Sequence, residues 1–257
     1  GRVITANSPA SRRENPSNWE AVLWHEFCHV ITLELTQNKI PRWLSEGISV
    51  YEELQENPSW GQRMDPRYRE HILNDGLTPL GELSSAFMRP ESGWHLQFAY
   101  FESALAVDFI VQNFGQNALL AVLGDLKVGL PINVALDRRC AALTELESRF
   151  EAFAKKQAES LAPDADWSKP DLEKLPAENA GSLEAWVKEN PKNFVALMAL
   201  VQRQLQGKKW NEAEAPLRRL IEVYPSYIGG DNAYERLAGV YRKLERAADE
   251  RKVLEQF

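Results

Sequence analysis

Four residues in this sequence have the types and spacing to perform chemistry together. His25 and His29 stand four apart in His25-Glu26-Phe27-Cys28-His29, and Glu46 follows in Trp43-Leu44-Ser45-Glu46-Gly47. Two imidazoles four apart on a helix project from one face and can reach one ion. Glu46 adds an anionic donor. The set is then the His₂Glu arrangement of a catalytic Zn²⁺ site, with one position left for water. Such a site brings the pKa of its water towards neutrality and polarises a carbonyl. Glu26 lies about 100° round a helix from His25. There its carboxylate can take a proton from the water and pass it to a leaving amine.

The elements that must position these groups are helices. Ser17-Asn18-Trp19-Glu20 fits a capping box. The helix it opens carries Val22, Leu23, Phe27, Val30, Ile31 and Leu35 at helical spacing. With Trp24 beside the motif, this helix is apolar enough to be expected to bury the polar cluster, which then needs polar partners. Pro41 ends it and favours the start of a second helix. That helix carries Trp43, Leu44, Glu46, Ile48, Val50, Tyr51 and Leu54. A short turn between the two can set Glu46 opposite the histidines. Cys28 is turned away from the face of positions 25 and 29 and is expected to pack as a small apolar residue. With Cys140 as its only companion, no disulfide framework is indicated.

Residues 2–6 read as a strand already under way, which implies a piece of a longer protein. Residues 57–95 are irregular, with a short helix expected over 66–74. Such a stretch can form a cleft wall or lid, or an ordinary surface connection. A strong apolar helix over 96–114, closed by Gly115, is expected to be buried on several sides. Further helices are expected over 117–125, 131–137 and 144–160. Pro163, Asp164, Asp166, Ser168, Pro170, Pro176 and Gly181 mark a linker over 162–181. Beyond it, Asn190-Pro191 and Tyr224-Pro225 repeat at the tetratricopeptide period. Leu197, Leu200, Ala213 and Leu217 fall at its packing positions, and Gly207-Lys208-Lys209 fits its turn. A further helical pair begins near Asn232. A plain helical hairpin is the alternative. The expected architecture is mainly α: a zincin-like domain over 1–161, with a small N-terminal strand at most, the linker, then tetratricopeptide-like α-hairpins over 182–257.

Composition narrows the function classes. A net charge of −7 argues against a general binder of nucleic acid or anionic membranes. No apolar run reaches the length of a transmembrane helix; Asp108 breaks Ala104 to Val111. At 257 residues, 44% of them hydrophobic, the chain can bury a core without a structural metal.

The two motifs carry a resemblance. His25-Glu26-Phe27-Cys28-His29, followed by Pro41-Arg42-Trp43-Leu44-Ser45-Glu46-Gly47-Ile48-Ser49-Val50-Tyr51-Glu52-Glu53, resembles the gluzincin metallopeptidases, and within them the bacterial peptidase MA-like group. The run from Trp43 is also similar to aminopeptidase N-like enzymes. The resemblance covers residues 1–125 and extends towards 160. It implies His25, His29 and Glu46 as zinc ligands and Glu26 as general base. It implies that Glu53 orients a ligand histidine, with Glu52 as competitor. Phe98-Ala99-Tyr100-Phe101-Glu102-Ser103 is similar to the family's later helix, which implies Tyr100 as hydrogen-bond donor to the oxyanion; His95 and, more remotely, His71 are its rivals. Sixteen residues separate His29 from Glu46, fewer than in aminopeptidase N-like enzymes, so the turn must be tight. The G-A-M-E-N-type motif that holds a substrate's amino terminus there is absent from this chain, which weakens an aminopeptidase reading.

The expected function is zinc-dependent hydrolysis of peptide bonds, with a peptide or protein as substrate and Glu26 activating the zinc-bound water. The alternative is a protein–protein interaction module, in which the tetratricopeptide-like part binds a partner and the zinc domain is structural. Exposed aromatics near Trp186, Trp210 and Tyr227 would favour that alternative. Compartment is open from composition; the resemblance points to the bacterial envelope or to export.

Overall fold

The computed structural model describes residue 4, residues 18–170 and residues 180–257. The strand expected over 2–6 and the Ser17 cap lie outside the described residues, apart from residue 4. Two compact units divide the chain, Gly1–Glu159 and Ser160–Phe257. Both are helical, and no strand occurs among the described residues. No single helix among them is long and apolar enough to cross a membrane.

In the first unit Asn18 caps α1 (Trp19–Thr36), its side chain accepting from the amide of Ala21. Gln37 and Asn38 take the left-handed conformation and stop the helix. Pro41 then precedes α2 (Arg42–Glu56). The stretch 57–92 has the short helix expected near 66–74. It holds α3 (Pro66–Leu73), a 3₁₀ turn (Leu80–Glu82) and α4 (Leu83–Met88). The long helix α5 (Gly93–Phe114) starts earlier than its apolar run, because Ser92 caps it through the amide of His95. Every residue from Phe101 to Val107 is buried, so α5 is central rather than amphipathic. Gly115, at φ +81°, turns the chain through 116° into α6 (Gln116–Lys127). Helices α7 (Ile132–Arg139) and α8 (Leu143–Glu159) complete the unit.

α2 is packed between α1 and α5. Its contact with α5 depends on Gly47. A Cβ there would lie 2.5 Å from the carbonyl oxygen of Ser103 and 2.7 Å from its carbonyl carbon. Glu46 is therefore next to a close backbone approach between α2 and α5.

The face α1 turns inward is the reverse of what its composition suggests. Thr32 and Thr36 are its buried residues, while Trp24, Phe27 and Ile31 are 37%, 51% and 43% exposed. The apolar flanks of the histidine motif thus do not bury it. Positions 25, 29, 32 and 36 form one stripe, and this polar stripe faces α2. The helix is apolar nearly all round, so its periodicity did not choose a face; the hydrogen-bonding partners on α2 did.

Glu102, on α5, is fully buried, and one carboxylate oxygen accepts from the amide of Thr78 at 2.5 Å. Burial raises its pKa from 4.5 to about 8, the Thr78 hydrogen bonds opposing the shift. The folded state therefore holds a proton that the unfolded chain releases. The stabilisation from that proton is complete below the unfolded value and lost as pH rises through about 8. Between pH 5 and pH 9 the wild type should lose on the order of a few kcal/mol that Glu102→Gln keeps. Thermal unfolding of both proteins across that range checks this. Parallel curves would refute it.

In the second unit α9 (Ala180–Glu189), α10 (Phe194–Gln206), α11 (Trp210–Val223), α12 (Ala233–Lys243) and α13 (Ala247–Leu254) each pack on the next. Leu197, Leu200, Ala213 and Leu217 are buried between them. Trp186, Trp210 and Tyr227 pack against this core rather than standing out as an aromatic surface. The stretch expected to be a linker is packed in its described part. Trp167 lies against Phe194 at 4.9 Å, and buried Asn193 caps α10 while its amide holds Asp166 and Ser168. The apolar Trp167, among residues otherwise typical of linkers, supplies the contact that composition averaged away.

Candidate active site

The histidines on α1 and Glu46 on α2 converge. Glu46 Oε2 lies 3.3 Å from His25 Nε2 and 3.2 Å from His29 Nε2. The two rings meet edge to face, 4.7 Å between centroids. Among the described residues this is the group of three whose donor atoms all lie within 4.8 Å of one another. Donors bound tetrahedrally at zinc distances stand roughly 3.3–3.5 Å apart. The two separations from Glu46 lie at or just under that range, so the three donors are placed to share one metal ion.

The far nitrogen of each imidazole is also held. His25 Nδ1 lies 2.5 Å from Glu53 Oε1, and His29 Nδ1 lies 2.8 Å from Ser45 Oγ. With Nδ1 protonated and donating, Nε2 is left as the metal-facing atom in both rings. The supports differ: a carboxylate for His25, a hydroxyl for His29. Ser45 Oγ is in turn 3.3 Å from Thr32 Oγ1, which donates to the carbonyl of His29. Ser49 Oγ donates to the carbonyl of His25. It is Glu53, buried, and not its neighbour Glu52 that reaches His25.

The electrostatics call for a cation. Burial opposes charge on His25, but hydrogen bonds to Glu46 and Glu53 outweigh it and raise its pKa to about 9. Burial likewise opposes charge on Glu46, and hydrogen bonds from His25 and His29 hold its pKa at about 2. Two carboxylates thus draw a positive charge onto the imidazole between them. A divalent ion would replace that proton.

The remaining expected residues fall as follows. Glu26 is half-buried on α1 and forms no hydrogen bond or ion pair with another described residue. Tyr100, on α5, is linked to the cluster by Arg42. The guanidinium donates to the Tyr100 hydroxyl at 3.4 Å and to Glu46 Oε1 at 3.3 Å. Phe87 of α4 packs edge-on against Tyr100 and under Arg42, so the stretch before α5 does wall this side. His71 and His95 lie in a ring cluster with Trp94 and Phe98, His95 contacting Ser92 and Glu91. Cys28 is half-buried, and burial, then Glu52 and Glu53, push its thiol up to about 11, which disfavours the thiolate.

The profile of the peptidase MA superfamily matches residues 14–155, more than half of the sequence. The chain belongs to the peptidase MA superfamily. Peptidases of that superfamily are typically zinc-dependent, and the His25, His29 and Glu46 cluster of this peptidase MA domain can hold a metal ion. No curated protein and no solved structure matches the chain.

Ser45, Ser49, Thr32 and Arg42 were not singled out from the sequence. A signal was present for each. Ser45 and Ser49 are hydroxyls four apart bracketing Glu46 on an amphipathic helix; Thr32 continues the histidine stripe; Arg42 stands four before Glu46.

Of the contacts that hold the peptidase MA site, Glu53 to His25 sets a buried carboxylate against a half-buried imidazole and should matter most for metal affinity. Glu53→Gln keeps an acceptor but removes the charge. Zinc affinity measured against a chelating dye should fall about 10–100-fold. An unchanged affinity would mean that Glu53 does not orient the ring.

Proposed function

We propose that this chain is a zinc-dependent metallopeptidase of the gluzincin type that hydrolyses peptide bonds in polypeptides. His25, His29 and Glu46 hold the ion, and Glu53 fixes the His25 ring. When bound, zinc supplies Lewis-acid chemistry, lowering the pKa of water and polarising a carbonyl. Glu26 takes a proton from the attacking water and delivers it to the amine nitrogen as the carbon–nitrogen bond breaks. The Tyr100 hydroxyl donates to the oxygen on which negative charge develops. One water is consumed, and a carboxylate and an amine are released.

The observation that carries this reading is the convergence of three donors whose far sides are already satisfied, beside a carboxylate with no described partner. A site kept only for structure has no use for Glu26. The helices from α9 onward are read as tetratricopeptide-like hairpins that present substrate or hold a protein partner. The rival reading, an interaction module with a structural zinc domain, would be favoured by exposed aromatics near Trp186, Trp210 and Tyr227, and these three are partly buried against the core of the second unit.

The test is metal analysis of the purified chain together with digestion of a broad peptide library. One zinc per chain with cleavage supports the reading. Chain that takes up no zinc at neutral pH refutes it. Full zinc with no cleavage of any peptide transfers the case to the interaction module.

A further inference from the structure

Arg42 joins two halves of the site that the sequence leaves unconnected. It opens α2, one turn before Glu46. Its Nε donates to Oε1 of Glu46, the oxygen that does not face the histidines. Its Nη2 donates to the hydroxyl of Tyr100, on another helix. The guanidinium lies 5.1 Å over the Phe87 ring, and Tyr100 meets that ring edge-on at 5.1 Å. An ordinary surface ion pair four apart on a helix has neither of these further contacts, and is worth little.

The chemistry of the donor decides the consequence. A guanidinium has five N–H groups and no acceptor. In its contact with Tyr100 the phenol oxygen must therefore be the acceptor. The phenol's own proton is then excluded from that direction and left to donate elsewhere. A hydroxyl that accepts from a cation is also polarised into a stronger donor. At Glu46 the same side chain ties down one oxygen, which selects the rotamer that turns the other oxygen to both imidazoles.

We propose that Arg42 is a positioning residue that commits the Tyr100 hydroxyl to donating and holds Glu46 in its ligating rotamer. This rests on reading Glu46 as a ligand and Tyr100 as the oxyanion donor. It adds a coupling between them: loss of one guanidinium weakens both metal binding and the step that Tyr100 assists.

The experiment is a double-mutant cycle of Arg42→Gln and Tyr100→Phe, with Arg42→Lys alongside, on the 257-residue chain. Zinc affinity is measured by chelator competition, and kcat and KM on a peptide that the wild type cleaves. Arg42 is 50% exposed, so the variants should fold, which thermal melts check. Arg42→Gln should weaken zinc binding several-fold and lower kcat about tenfold with KM little changed. In the Tyr100→Phe background the same substitution should cost kcat less than threefold, since the proton it directs is gone. Arg42→Lys should not restore activity, because a single ammonium lacks the fork that reaches both partners. Additive losses in kcat, or a zinc affinity within twofold of the wild type, would overturn the coupling while leaving the peptidase reading intact. A wild type without zinc or without cleavage overturns both.

Discussion

Glu26→Gln should abolish peptide cleavage while leaving the metal in place. The expected loss in kcat is about 10²–10⁴-fold, the range that a positioned general base contributes. The substitution is isosteric and removes only the ability to take a proton. Glu26 is half-buried and has no described hydrogen-bond partner, so its loss should shift stability by no more than about 0.5 kcal/mol. It is not one of the three converging donors, so zinc stoichiometry should stay at the wild-type value. Parallel measurements of kcat, zinc content and thermal unfolding check all three. Cleavage that survives in the variant would remove Glu26 from the mechanism. Loss of zinc would make it a ligand instead.

Gly47→Ala should destabilise the first unit and weaken metal binding together. In an open helix this change is favourable by about 0.5–1 kcal/mol, because alanine costs less backbone entropy. Here the new Cβ would stand 2.5 Å from the Ser103 carbonyl oxygen and 2.7 Å from its carbon. Both obstacles are backbone atoms of a buried stretch of α5, so neither can rotate away. Relief requires α2 and α5 to separate, at a cost of about 1–3 kcal/mol, as for other overpacked sites. α2 carries Ser45, Glu46, Ser49 and Glu53 against the histidines. A displacement of a few tenths of an ångström spoils donor separations that now suit one ion. Thermal unfolding should fall by several degrees, and zinc affinity by at least about tenfold. A variant that melts higher than the wild type would show that the approach of α2 to α5 is looser than the structure has it.

The two predictions separate what a base does from what a scaffold does. Glu26→Gln changes chemistry with the fold intact. Gly47→Ala changes the fold's geometry with every chemical group intact.

Several features were legible because they are local. The four-residue spacing of His25 and His29 fixes a common face on any α-helix, whatever surrounds it. Pro41 and the short gap to Glu46 fix a tight turn. The apolar run before Gly115 fixes a central helix, and the match to the peptidase MA superfamily accords with the motifs that suggested it.

Other features depend on how one helix is rotated against another, and a sequence of helices does not record that angle. Each residue turns about 100° from the last. A rotation of α2 by about 100° would bring Glu52 rather than Glu53 to His25, and would take Ser45 away from His29. α1 is apolar on almost every side, so hydrophobicity did not say which side faces in, and the expectation that Trp24, Phe27 and Ile31 would bury the motif was wrong. The contact of Arg42 with Tyr100 crosses 58 positions of sequence. The sequence alone determined which groups could form a metal site and on which helices they ride. Their rotation, and with it the partner of each imidazole, was decided only in the packed fold, by the polar pairing of α1 with α2 and by the close approach of α2 to α5 at Gly47.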